Sequence, residues 1–180
     1  MIELLDKIDL KAWVEAQRDD AFWQTSRVRV LWDKDYLAMV SRGPTRNLEF
    51  HVNPWSEIFS QVEGQLNFTY VEADGRREVR VLQPGQWLLL PANVPHAPRR
   101  PNDASWTLVV ERTRALPREG TDRYMWFCEH CNHKLHEIAA TTYGGPGRPN
   151  PALQEANEVL RAHDRLRTCP ECGEVQPPPA

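Results

Sequence analysis

Two histidines and one glutamate, His51, Glu57 and His96, are the side chains through which this sequence could hold a divalent ion and leave part of its coordination open. His51 begins the stretch His51-Val-Asn-Pro-Trp-Ser-Glu57, and His96 ends Pro91-Ala-Asn-Val-Pro-His96. Imidazole nitrogens and a carboxylate oxygen suit Fe(II), and three protein ligands on one side leave positions for a bidentate substrate and dioxygen. Nickel, manganese or zinc would fit the same three side chains, and the His-to-Glu spacing alone is a weak signal. No glycine-rich dinucleotide loop accompanies them, so redox chemistry here would need no nicotinamide or flavin.

A second constellation is more specific. The four cysteines fall as two pairs, Cys128-Glu-His-Cys131 and Cys169-Pro-Glu-Cys172, a spacing that suits one tetrahedral iron or zinc site far better than a disulfide framework. Four thiolates complete such a site, so its expected role is structural, with His130, His133 and His136 left outside it. Cysteines kept for a metal imply a reducing compartment. Met1-Ile-Glu-Leu-Leu-Asp6 lacks a secretory pattern and no stretch reaches the roughly 20 apolar residues of a membrane span, so a soluble cytoplasmic protein is expected.

The elements that must position these groups are mostly short strands. Asp9 is a candidate N-cap for a helix running to about Arg18 with Leu10, Trp13 and Val14 on its apolar side. Alternation then predicts strands over Val28–Trp32, Tyr36–Val40, Leu48–Val52, Gln65–Val71, Val79–Val81 and Trp106–Glu111, with a hairpin turn at Ala73-Asp-Gly75. Gln86–Leu90 reads as a more fully buried strand. His51 and Glu57 flank Asn53-Pro54, where proline ends a ladder and the chain passes from strand to loop. Arg112–Thr121 reads as a linker, Tyr143–Pro151 as a breaker-rich loop, Leu153 to about His163 as a helix, and Val175–Ala180 as a proline-stiffened tail.

This succession predicts an all-β fold, a double-stranded β-helix or jelly-roll barrel with a short N-terminal helix and a small C-terminal metal-knuckle appendage; periodicity alone also admits an immunoglobulin-like sandwich. The expected division is a barrel over 1–115, a linker over 116–123 and a metal-binding extension over 124–180. At 180 residues the chain can bury one substantial core and one appendage. Its formal charge of -3, from 22 Lys and Arg against 25 Asp and Glu, offers no broad basic face, so nucleic acid is not an expected partner.

Taken together, Arg42-Gly-Pro44, His51 with Glu57, Ile58-Phe-Ser-Gln-Val-Glu-Gly64, Leu88-Leu-Leu-Pro91, Val94-Pro-His-Ala-Pro98, Val109-Val-Glu-Arg112 and both cysteine pairs carry a resemblance. The sequence resembles bacterial 3-hydroxyanthranilate 3,4-dioxygenases, cupins that open an aromatic ring with iron and dioxygen. The resemblance implies His51, Glu57 and His96 as Fe(II) ligands, a rubredoxin-like site at the cysteines, Arg100 as the anchor of a substrate carboxylate, and Glu111 as a contact to the substrate's polar groups.

One position departs from the family pattern: Asn47 stands where the family carries an arginine, with Arg46 one place earlier. Phe50 and Ser60 likewise replace usual tyrosines. The expected substrate is therefore 3-hydroxyanthranilate or a related ortho-aminophenol carboxylate, with dioxygen as co-substrate. The competing expectations are a non-catalytic sensor or binding protein for an aromatic acid and a cupin isomerase or decarboxylase. A homodimer is plausible from exposed strand edges.

Overall fold

The computed structural model describes residues 7–113, 121–140 and 150–179. The expected linker lies largely, and the breaker-rich loop almost wholly, outside the described residues, as does the acidic N-terminal hexapeptide. Two antiparallel sheets make up the body. One contains β1 (Val28–Asp33), β2 (Tyr36–Arg42), β4 (Glu57–Glu63), β7 (Trp87–Leu90) and β9 (Trp106–Arg112), in the order β1-β2-β9-β4-β7. The other contains β3 (Glu49–Val52), β5 (Leu66–Val71), β6 (Arg77–Leu82), β8 (His96–Arg99), β10 (Asp122–Phe127) and β11 (Lys134–Ala140), in the order β11-β10-β3-β8-β5-β6.

The closed jelly-roll barrel expected from the strand pattern is not what the chain forms. Among the described residues each sheet is open: β1 and β7 end the first, and β11 and β6 the second. Alternation identifies which side chains turn inward, but it carries no information on whether outer strands bond to one another. Gln86–Leu90 shows the same limit. Among the described residues its β7 core pairs only with β4, and Trp87 and Leu89 are each 69% exposed, so the strand expected to be more fully buried is an edge.

Period-two patterning divides the apolar residues among three layers. Between the sheets lie Phe59, Leu66, Phe68, Leu82, Leu90 and Val109, each large side chain there contributing roughly 1.5–3 kcal/mol by leaving water. The outer side of the first sheet packs Val40 and Trp106 against the N-terminal helices, α1 (Leu10–Gln17) and α2 (Phe22–Thr25), through Val14 and Trp23. Asp9 caps α1 by accepting a bond from the Ala12 amide at 3.0 Å, which satisfies one of the amides that a helix start leaves open. The outer side of the second sheet gathers Phe50, Val52, Val71, Ala97 and Met125.

The second sheet continues into the C-terminal segment. β10 pairs with β3 with Tyr124 opposite His51, and β11 pairs with β10. Helix α3 (Pro151–Ala162) begins at Asn150, whose side chain accepts from the Ala152 and Leu153 amides, and the short α4 (Asp164–Arg167) leads to the second cysteine pair. At the hairpin between β5 and β6, Gly75 sits at φ +85°, a conformation that side chains with a Cβ rarely adopt.

Candidate metal centres and substrate pocket

His51 and His96 are brought together by strand register: they are direct partners across β3 and β8, with ring centroids 5.3 Å apart. Glu57 approaches from the opposite sheet, where it begins β4. One donor atom from each of the three lies within 4.8 Å of the other two, a spread that a single ion can bridge.

The donor set also has the polarity that an ion requires. His96 is 1% exposed, and its Nδ1 donates to the Val94 carbonyl at 3.0 Å, which turns Nε2 toward the interior. Phe68 stacks on the His96 ring at 9° and Phe59 meets it edge-on, holding its plane. Glu57 Oε2 lies 3.0 Å from His96 Nε2, yet it makes no directed hydrogen bond and is shut off from solvent. A buried carboxylate oxygen left so is costly, and a cation between it and the imidazoles would remove that cost.

Electrostatics point the same way. Burial works against the Glu57 charge, but His96, His51 and a hydrogen bond with Glu111 outweigh it and hold its carboxyl well below the usual range. Burial likewise opposes a charged His51, and is outweighed by a bond to Asp122 and the carboxylates of Glu57, Asp122 and Glu111, which raise its affinity for a proton. Positive charge is thus favoured among these groups, whether a proton or a metal supplies it.

Arg100 and Glu111 are both interior. The Arg100 guanidinium, only 3% exposed, donates from Nε to Thr107 Oγ1 at 2.9 Å and from Nη1 to the Pro98 carbonyl at 3.1 Å. Its Nη2 has no partner, and burial alone pushes its pKa down to about 9. Thr107 in turn donates to Gln61 Oε1 at 2.7 Å, so the guanidinium is held by a chain of interior polar groups. Glu111 lies directly opposite Glu57 across β4 and β9 and accepts from Asn53 Nδ2 at 2.8 Å.

Asn47 stays outside this group: it is exposed, and its carbonyl accepts a bond from Arg99 Nε. The exposed Arg46 instead shares a cleft with Arg99, Arg100 and Asn67. Phe50 and Ser60 also lie away from the metal group. Phe50 is in the outer layer of the second sheet, and Ser60 pairs with Leu108, whose side faces the N-terminal helices. Both follow from alternation, since each neighbours a residue that turns inward.

Two residues of the site carried no signal in the sequence. Asp122 Oδ1 lies 3.1 Å from His51 Nε2, and Asn53, whose carbonyl and side chain tie it to Asn93 and Trp55, holds Glu111. Neither belongs to a spacing motif, because each acts across strands far apart in the chain.

The cysteines form a second group whose sulfurs also lie within 4.8 Å of one another. Each pair sits in a similar turn: the Asn132 amide donates to the Cys128 carbonyl, and the Gly173 amide to that of Cys169. Burial opposes a Cys128 thiolate, but the amides of Cys131 and His130 and the neighbouring thiols bring it down to about 7. The Glu174 amide favours a Cys172 thiolate, yet burial and the other three sulfurs push it up to about 12. One thiolate forms readily and further ones are resisted, so a fully ionised set requires a cation. Around this group, Glu129 receives Arg77 at 2.8 Å and Arg99 at 3.1 Å, and Arg77 also donates to Asn132 and to the Cys128 carbonyl.

A family model for 3-hydroxyanthranilic acid dioxygenase matches residues 2–143. The chain belongs to the 3-hydroxyanthranilic acid dioxygenase family. Within that family, it is 34% identical to the 3-hydroxyanthranilate 3,4-dioxygenase of Xanthomonas campestris pv. campestris (strain 8004), over 98% of this chain and 95% of the relative. It is 29% identical to the enzyme of the same name from Bacillus thuringiensis (strain Al Hakam), over 98% and 95%, and 32% identical to that from Burkholderia lata, over 83% and 82%. Among the described residues of this family member, no helix is long and apolar enough to cross a membrane.

Proposed function

We propose that this protein is a ring-cleaving dioxygenase acting on 3-hydroxyanthranilate or a closely related ortho-aminophenol carboxylate, with Fe(II) held by His51, Glu57 and His96. The observation that carries this reading is the interior carboxylate oxygen of Glu57, unbonded and facing an imidazole nitrogen, within a two-histidine, one-carboxylate group. A ferrous ion, when bound, supplies open positions for a chelating aminophenol and dioxygen and a path for electrons between them.

The protein's own part is binding, orientation and proton handling. Arg100 offers the unpartnered Nη2 to a carboxylate, and its bonds to Thr107 and Pro98 keep the guanidinium from turning. An anion there restores the charge balance that burial disturbs. Glu111, oriented by Asn53, is the group placed to accept a proton from a phenol or amine beside the metal ligands. Phe59 and Phe68 exclude water on the His96 side. Arg46 adds a third positive charge to the cleft lined by Arg99 and Arg100, while Asn47 adds none. At the four cysteines we propose a structural zinc or iron ion.

Oxygen uptake by anaerobically iron-loaded protein tests this function, with 3-hydroxyanthranilate, substituted analogues and 2-aminophenol supplied in turn. One oxygen consumed per ring opened is expected, and His51→Ala should abolish both turnover and iron retention at that site. Stoichiometrically loaded protein that consumes no oxygen with any ortho-aminophenol overturns the proposal.

A further inference from the structure

We propose that Asp122 is a positioning residue of the metal centre: its carboxylate holds the His51 imidazole in the rotation that aims it at Glu57 and His96. The inference rests on the ligand set proposed above and extends it to a residue outside that set. Asp122 is 6% exposed, and its Oδ1 lies 3.1 Å from His51 Nε2 across 71 residues of chain.

Strand register explains how the contact arises. Tyr124 is directly opposite His51 across β10 and β3, so the two side chains share a face. Asp122, two residues earlier on β10, shares that face and reaches His51 diagonally. Tyr124 stacks on the imidazole at 5.3 Å and 24°, and His96 lies on its other side. These ring contacts define a plane but do not distinguish the two nitrogen-bearing edges of the imidazole. A carboxylate against one edge does, because it selects where the ring carries its proton and which edge remains for a metal.

Asp122 does not join the donor group of His51, Glu57 and His96, so the geometry makes it act through His51. A role limited to fastening β10 onto β3 would leave metal affinity unchanged once the strand is in place.

The test is an anaerobic Co(II) titration of wild type, Asp122→Ala and Asp122→Asn, with His51→Ala giving the background due to the four cysteines. Asp122→Ala should bind cobalt at the histidine site about 10- to 100-fold more weakly. Asp122→Asn, which keeps an oxygen acceptor, should recover most of that loss, while the melting temperatures of the metal-free variants do not follow the affinity order. An Asp122→Ala affinity within twofold of wild type, or no recovery in Asp122→Asn, overturns the inference.

If Asp122→Ala fails to fold, Asp122→Ser, whose hydroxyl is too short to reach the imidazole, takes its place in the same comparison: cobalt affinity within twofold of wild type overturns the inference, and a larger loss that Asp122→Asn recovers supports it. Wild type binding no more cobalt than His51→Ala would bring down the ligand set as well. Wild type exceeding that background, matched by Asp122→Ala, would bring down the role of Asp122 alone.

Discussion

Glu57 and Glu111 stand directly opposite one another on neighbouring strands, two interior carboxyls that share a hydrogen bond. Like charges so placed repel, and Glu111→Gln removes one member of the pair while keeping its shape. Glu111→Gln should therefore leave the metal-free melting temperature at or above that of wild type, since a neutral group then faces Glu57. Thermal unfolding of the two metal-free proteins measures this. Turnover should fall about 100-fold or more through loss of the proton acceptor.

Arg100 offers a direct test of substrate orientation. Arg100→Met removes the buried donor and fills much of its volume, so kcat/KM for 3-hydroxyanthranilate should drop at least about 100-fold. The value for 2-aminophenol, which lacks the carboxylate, should change little. Steady-state oxygen uptake with the two compounds gives the ratio, and an equal loss for both would remove Arg100 from carboxylate binding.

Glu129 fastens the first cysteine turn to Arg99 and Arg77. Burial opposes its charge, but the two guanidinium groups hold its pKa below the ordinary value of 4.5. A depressed carboxylate pKa contributes stability above that ordinary value, and the contribution is lost as pH falls through the depressed one. Glu129→Gln should cost about 1 kcal/mol at neutral pH, allowing for its partial exposure, and the deficit should shrink below about pH 4.5. Denaturant unfolding at pH 7 and pH 3.5 measures the difference.

Cys172→Ser should lower the metal content by one ion per chain while leaving cobalt binding at the histidine group detectable. Loss of a structural ion should also lower the melting temperature, because the folded knuckles alone gain the energy of ligation. Metal analysis alongside thermal unfolding checks both expectations.

Much of the candidate metal centre is legible in the sequence because ligand chemistry restricts residue type. His51, Glu57 and His96 converge, as do the four cysteines, and the expected strands are present. What is not legible depends on register. Asp122 and Asn53 gain their roles from strands that meet far along the chain, and the exposure of Trp87 and Leu89 follows from β7 having a neighbour on one side only. The openness of both sheets has the same origin, since an alternating pattern looks the same at a bonded edge and a free one. The burial of Arg100 is equally invisible in sequence, where an arginine after Pro98-Arg99 looks like surface charge.

Arg99 and Arg100 are separated by a single peptide unit but serve opposite sides of the second sheet. The first grips Glu129 outside, and the second lies within the body. Adding or removing one residue between His96 and this pair would exchange their directions, turning the clamp inward and the anchor out. The length of that short stretch thus decides which of the two guanidinium groups faces the interior.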